Sequence, residues 1–178
     1  MQSSHHAPTR WATYLQVHDN RMEQARSTGF VRNDTLTVQP FAPGFFRIEG
    51  EIACRGDIVI AVTKTLKVVR NHGNEALVQT NYYAYNAHVR GFKTFLRNDN
   101  AHAHPGHPDE HHCHEEDWQT GAALAGSPRW VGEAGWPTLG AFIERVASWY
   151  WEHQAVLPAP DSYPELDLRK DPLALEDA

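Results

Sequence analysis

Between Arg97 and Asp117 the chain reads RNDNAHAHPGHPDEHHCHEED, which holds His102, His104, His107, His111, His112 and His114, six of the twelve histidines. Cys113 and the carboxylates Asp99, Asp109, Glu110, Glu115, Glu116 and Asp117 lie among or beside them. Imidazole changes charge near neutral pH and is the commonest side-chain ligand for transition metals. A cluster of this kind can bind Zn, Ni or Cu, or supply a general acid and a general base. His102 and His104 are two apart, as are His112 and His114, whereas a helical ligand pair needs three or four. In an extended segment the same spacing places both rings on one face, where they could share a metal or a phosphate. The plainer alternative is a solvated, His-rich surface loop that takes up metal adventitiously. Two features speak against it: the stretch directly follows a well-patterned strand, and Asp99-Asn100 sits at the junction.

Pro105, Gly106 and Pro108 rule out a regular helix or a central strand through the middle of this segment, so it reads as a loop over 100–117. A loop this polar has no core of its own, and its order must come from ligands or from packing on a scaffold. The chain has 178 residues, 41% hydrophobic, with six tryptophans, enough for one domain with a real core. No apolar run approaches a membrane span, and MQSSHHAPTR lacks the apolar stretch of a signal peptide. Cys54 and Cys113 are too few for a disulfide framework, so a reduced, cytoplasmic protein is expected. The net charge of −6 argues against a broad nucleic-acid footprint, though not against a local basic patch.

The scaffold can be read from periodicity. Residues 1–9 are polar and expected to be disordered, and Arg10–Gln24 carries a weak helical pattern. Thr35–Val38 suggests a short strand stopped by Pro40, Pro43 and Gly44. Strands are expected over Phe45–Arg55, Ile58–Arg70, Glu75–Val89 and Phe92–Asp99, joined by turns at Arg55-Gly56-Asp57, Asn71–Asn74 and Arg90-Gly91. Arg129–Val131 suggests an edge strand. Pro137 and Thr138 then open an amphipathic helix with Leu139, Phe142, Ile143, Val146, Trp149 and Tyr150 on one face and Glu144 and Arg145 facing outward. The fold class expected is α+β: an antiparallel meander of four to five strands packed by a C-terminal helix, as one domain over 10–156. Residues 157–178, rich in Pro, Asp, Glu and Leu, read as an extended acidic tail, unstructured or folding on a partner.

The succession NYYAY, a turn at Arg90-Gly91, FKTFLRNDNAHAHP, HHCH and a closing helix resembles the TumE-like toxins of bacterial toxin–antitoxin pairs. The matching positions are Tyr83 and Tyr85; Arg97, Asp99 and Asn100; His102 and His104; His111, His112 and His114; and the Leu139–Tyr150 helix, so the likeness covers 58–150. Asn98 stands where that family usually has an aromatic residue, and Cys113 where it often has a basic one. The resemblance implies an HTH-type antitoxin as partner.

Three kinds of function are compatible with these residues. The first is a toxin-like nuclease acting on RNA, with Asp99, His102, His104, His111, His112 and His114 as catalytic candidates. Lys93 and Arg97, read as sharing a strand face, would hold phosphate, and Tyr83 and Tyr85 would stack bases, unless the tyrosines are ordinary strand packing and Arg97 merely pairs with Asp99. The second is a metal centre, with Zn as the first choice, drawn from His102, His104, His111, His112, His114 and Cys113. Asp99 would then orient a ligand. The third is a non-catalytic interaction module working through the acidic tail. Expected partners are RNA, the antitoxin and a second copy of the chain, with no membrane.

Overall fold

Two long strands form the spine of the computed structural model, which describes residues 7–72, 75–101 and 110–167. In chain order the elements are β1 (Thr9–Arg10), α1 (Trp11–Ser27), β2 (Val31–Asp34), β3 (Thr37–Ala42), β4 (Phe45–Cys54), β5 (Ile58–His72), β6 (Glu75–Val89), β7 (Thr94–Asp99), β8 (His112–Glu115), β9 (Arg129–Trp130), α2 (Gly132–Gly135) and α3 (Leu139–His153). The class is α+β, as the periodicity predicts, but the sheet has nine strands rather than four to five. Its order is β2-β4-β5-β6-β7-β8-β9, with β3 added on β4 and β1 on β6, and every pairing is antiparallel.

The expected meander is present as β4–β5–β6–β7. The extra strands come from segments whose sequences carry weak strand signals. β2 and β3 share one edge of β4, meeting it at Ile52–Cys54 and at Phe45–Glu49 respectively. Where they hand over, Gly50 has φ +145°, and a Cβ there would lie 2.5 Å from the Thr35 carbonyl oxygen. Backbone is packed against backbone at that point, so only glycine fits. Pro40 lies inside β3 rather than stopping it; β3 is bonded to β4 alone, and an edge strand tolerates the missing donor. Thr9, expected in the disordered N-terminus, and Arg10, expected to begin the helix, instead pair with Val78 and Leu77.

Alternation in the long strands assigns one face of the sheet to the core. Ile52, Ile60, Val62, Tyr83, Tyr85, Ala87 and Val89 are buried beneath Met22 of α1 and Phe142, Ile143, Val146 and Tyr150 of α3. Thr138 caps α3, its hydroxyl accepting from the Ala141 N–H at 3.2 Å, which places Pro137 just ahead of the cap rather than in the first turn. A register shift between Ala87 and His88 turns Phe95 onto this helical face, where it stacks on Trp149 at 3.7 Å. The described chain beyond α3, to residue 167, also packs on the domain, contrary to the expected free tail from 157. Leu157 is only 6% exposed, the Asp57 N–H donates to Ser162 O at 3.0 Å, and Tyr150 Oη donates to Pro160 O. Composition masks this because the anchors are single apolar residues and backbone groups among prolines and acids. No helix among the described residues is long and apolar enough to cross a membrane.

Candidate metal centre

β8 is the element that the polarity of its sequence conceals. HCHE has no apolar alternation, yet it is bonded to β7 with Asp99 opposite His112, Asn98 opposite Cys113 and Arg97 opposite His114. Its pleat therefore sorts the cluster onto two faces. His112 and His114 join Asp99 and Arg97 on the face away from α3, while Cys113 turns into the helical core.

Asp99 and His112 are both 0% exposed. Asp99 Oδ2 accepts from Arg97 Nε at 2.6 Å, and Oδ1 accepts from the Ala101 N–H at 3.0 Å. His112 Nε2 stands 3.4 Å from Oδ1 of the same carboxylate. The Glu110 carbonyl lies 2.8 Å from His112 Nδ1 and can only accept, so Nδ1 carries a proton. A neutral ring then presents an Nε2 lone pair to a carboxylate oxygen. Two acceptors face to face require a positive charge between them, a proton or a metal ion. His114 is the third member: its ring is 4.9 Å from that of His112, centroid to centroid, and one ligand atom from each of Asp99, His112 and His114 lies within 4.8 Å of the others. These three residues, two of them fully buried, could hold a metal ion.

The other candidates separate from this group. His111 lies on the opposite face, its Nδ1 3.3 Å from Tyr83 Oη and its ring stacked with Trp136 at 4.7 Å. Cys113 is 1% exposed beside Arg145, 3.2 Å from its Nη1, and cannot share an ion with the rings across the sheet. Arg145 is itself a correction: rather than facing outward from α3 it turns in against Asn98, Cys113 and Glu115. Tyr83 and Tyr85 are both 0% exposed and pack on Trp136 and Phe142, so they are core residues with no face open to a base. Burial holds the Tyr85 phenol well above its usual range. Lys93 precedes β7 and is exposed beside Gly121, so it does not share a strand face with Arg97. The paired reading of Arg97 with Asp99 is the one observed, with the guanidinium side chain 37% exposed. His102 and His104, like His107 and Asp109, fall outside the described residues.

Two features of the site are not among the candidates read from the sequence. The Glu110 contact is made by a backbone carbonyl, which any residue could supply. Trp130, whose strand signal is legible, sits opposite His112 in the β8–β9 register and so borders the centre. Comparison of the chain with protein-family models, with curated proteins and with solved structures found no match.

Proposed function

We propose that Asp99, His112 and His114 bind a divalent transition metal, Zn2+ first, and that the chain is a metal-dependent hydrolase with an RNA phosphodiester as its substrate. The observation that carries this reading is the 3.4 Å separation of Asp99 Oδ1 and His112 Nε2, with the tautomer of His112 set by the Glu110 carbonyl. Ligand atoms at zinc bond lengths of about 2.0–2.1 Å in a tetrahedron are about 3.3 Å apart, so this pair already spans one edge. A ligand histidine that gives its other N–H to a backbone carbonyl is the usual arrangement around such ions. His114 is less buried than the other two and is the ligand with freedom to adjust.

Two imidazoles and one carboxylate leave a coordination position open, and an ion there would lower the pKa of a bound water to about 7. Arg97 offsets the charge of Asp99, so the occupied centre would keep the positive charge of the ion. That favours an anionic substrate such as a phosphodiester, and Arg97 is exposed enough to touch one. Acid–base work by His112 alone fits less well, because at 0% exposure neither nitrogen reaches solvent. A toxin role beside an HTH-type antitoxin rests on the motif resemblance alone.

Metal titration into chelator-treated protein, followed by dialysis and elemental analysis, tests the first step. One zinc per chain is expected, lost in both His112→Ala and His114→Ala. Failure of the wild type to retain an ion, or retention at the wild-type level in either variant, would overturn it. RNA cleavage that is abolished by chelator and restored by zinc is expected next, and cleavage indifferent to chelator would remove the metal from the chemistry.

A further inference from the structure

On the opposite face of the sheet from Asp99, a lysine occupies a core position. The inward row of β5 runs Ile58, Ile60, Val62, Lys64, Leu66, and Lys64 lies between Ile48 of β4 and Tyr83 of β6. An ammonium in an apolar row is disfavoured unless a negative partner meets it. Among the described residues Lys64 has no ion pair; its recorded neighbour is the ring of Tyr14, whose centroid is 5.1 Å from Nζ.

Lys64 opens instead into a cavity of about 190 Å³ between α1, the start of α3 and the sheet. Tyr14, Val17, Met22 and Leu139 give it apolar walls, and Arg21 and His18 bring further nitrogen groups to it. Arg21 lies beside Gly140, where an added Cβ would stand 3.5 Å from its Nη1. None of the lining residues is acidic; Asp19 and Asp34 line a separate cleft on the far side of His18. An apolar cavity of about 150 Å³ admits benzene. The space therefore matches a single ring or short chain, and its charges match one anionic group.

We propose that this cavity binds a small organic monoanion, a carboxylate on a one-ring apolar body, with Lys64 and Arg21 taking the carboxylate. Thr138, Leu139 and Gly140, at the N-terminal end of α3, line the same cavity, and that end of a helix favours negative charge. Burial lowers the Lys64 amine to about 8, which still leaves it charged at neutral pH and makes an anion its best available partner. This site is separate from the metal centre and stands or falls independently of it.

Benzoate is the probe, with benzamide as its neutral counterpart, titrated calorimetrically into the full chain. Saturable benzoate binding is expected in the wild type and in Lys67→Met, an exposed lysine outside the cavity, weakened at least about tenfold in Lys64→Met. Benzamide should bind the wild type at least about tenfold more weakly than benzoate. Bound benzoate should also raise the Lys64 amine pKa, followed by NMR in the wild type, which needs no variant to fold. Absence of saturable benzoate binding, binding by Lys64→Met within about twofold of wild type, or equal binding of benzamide would each overturn the assignment.

Discussion

Asp99 and His112 face each other directly across β7 and β8, with Oδ1 3.4 Å from Nε2 and neither residue exposed. The carboxylate also accepts from Arg97 and the Ala101 N–H, so it holds the end of β7 as well as facing the ring. If the metal-centre proposal holds, structural and ligand roles coincide in Asp99 but separate in His114. Asp99→Ala is expected to destabilise the metal-free protein by about 1–3 kcal/mol, because Arg97 and the Ala101 N–H lose the buried carboxylate that accepts from them. His114→Ala should cost less than about 1 kcal/mol in the same urea titration yet abolish zinc retention. Equal stability losses in the two variants would mean that His114 is a structural residue.

Lys64 makes stability depend on alkaline pH. Its amine titrates at about 8 when folded against an ordinary value of 10.5. Between those values the unfolded chain holds the extra proton, so this group's contribution to stability rises with pH from about 8 to 10.5. Below that window both states are protonated and the burial penalty is constant. Cys54, Tyr14 and Tyr85, whose ionisation burial delays, act in the opposite sense at high pH, so the quantity to follow is the difference between variants. Lys64→Met should be more stable than wild type by about 1–3 kcal/mol at pH 7, the lysine being only partly enclosed, with the gap closing towards pH 10.5. A gap that does not change with pH would show that the lysine's charge is irrelevant to stability.

Tyr85 buries a hydroxyl that has no hydrogen-bond partner among the described residues, while its ring packs on Phe142. Tyr85→Phe keeps the ring and removes the unsatisfied group, so thermal unfolding should be unchanged or shifted upward, by up to about 1–2 kcal/mol. Phe142→Ala, which empties the other half of the contact, should lose about 3–5 kcal/mol. A clear loss in Tyr85→Phe would reveal a partner for that hydroxyl.

Arg145 joins α3 to the β7–β8 pair through Asn98, Cys113 and Glu115. Arg145→Met should destabilise by about 1–3 kcal/mol, and in a double-mutant cycle with Glu115→Gln the two losses should fall short of additive. Strict additivity would show that the pair contributes nothing jointly.

Removing everything after Val156 deletes Leu157 from the core and the Asp57–Ser162 backbone bond. A loss of about 2–4 kcal/mol is expected in chemical denaturation. An unchanged midpoint would return this segment to the status of a tail, and with it the interaction-module reading.

The sequence by itself determined the four-strand meander and the amphipathic α3, because β-branched alternation and the Leu139–Tyr150 spacing report burial residue by residue. It also placed His112 and His114 side by side, since a His-x-His pair in extended backbone must share a face. Only the tertiary structure decided that HCHE is a strand. Its hydrogen bonds come from β7, and backbone pairing leaves no trace in side-chain polarity. The pleat of that strand, set by register against Asp99, then chose His112 and His114 and sent His111 and Cys113 to the other face. Lys64 shows the converse. Its inward parity was present in the alternation of β5, but the cavity that receives it forms only where α1 and α3 meet above the sheet.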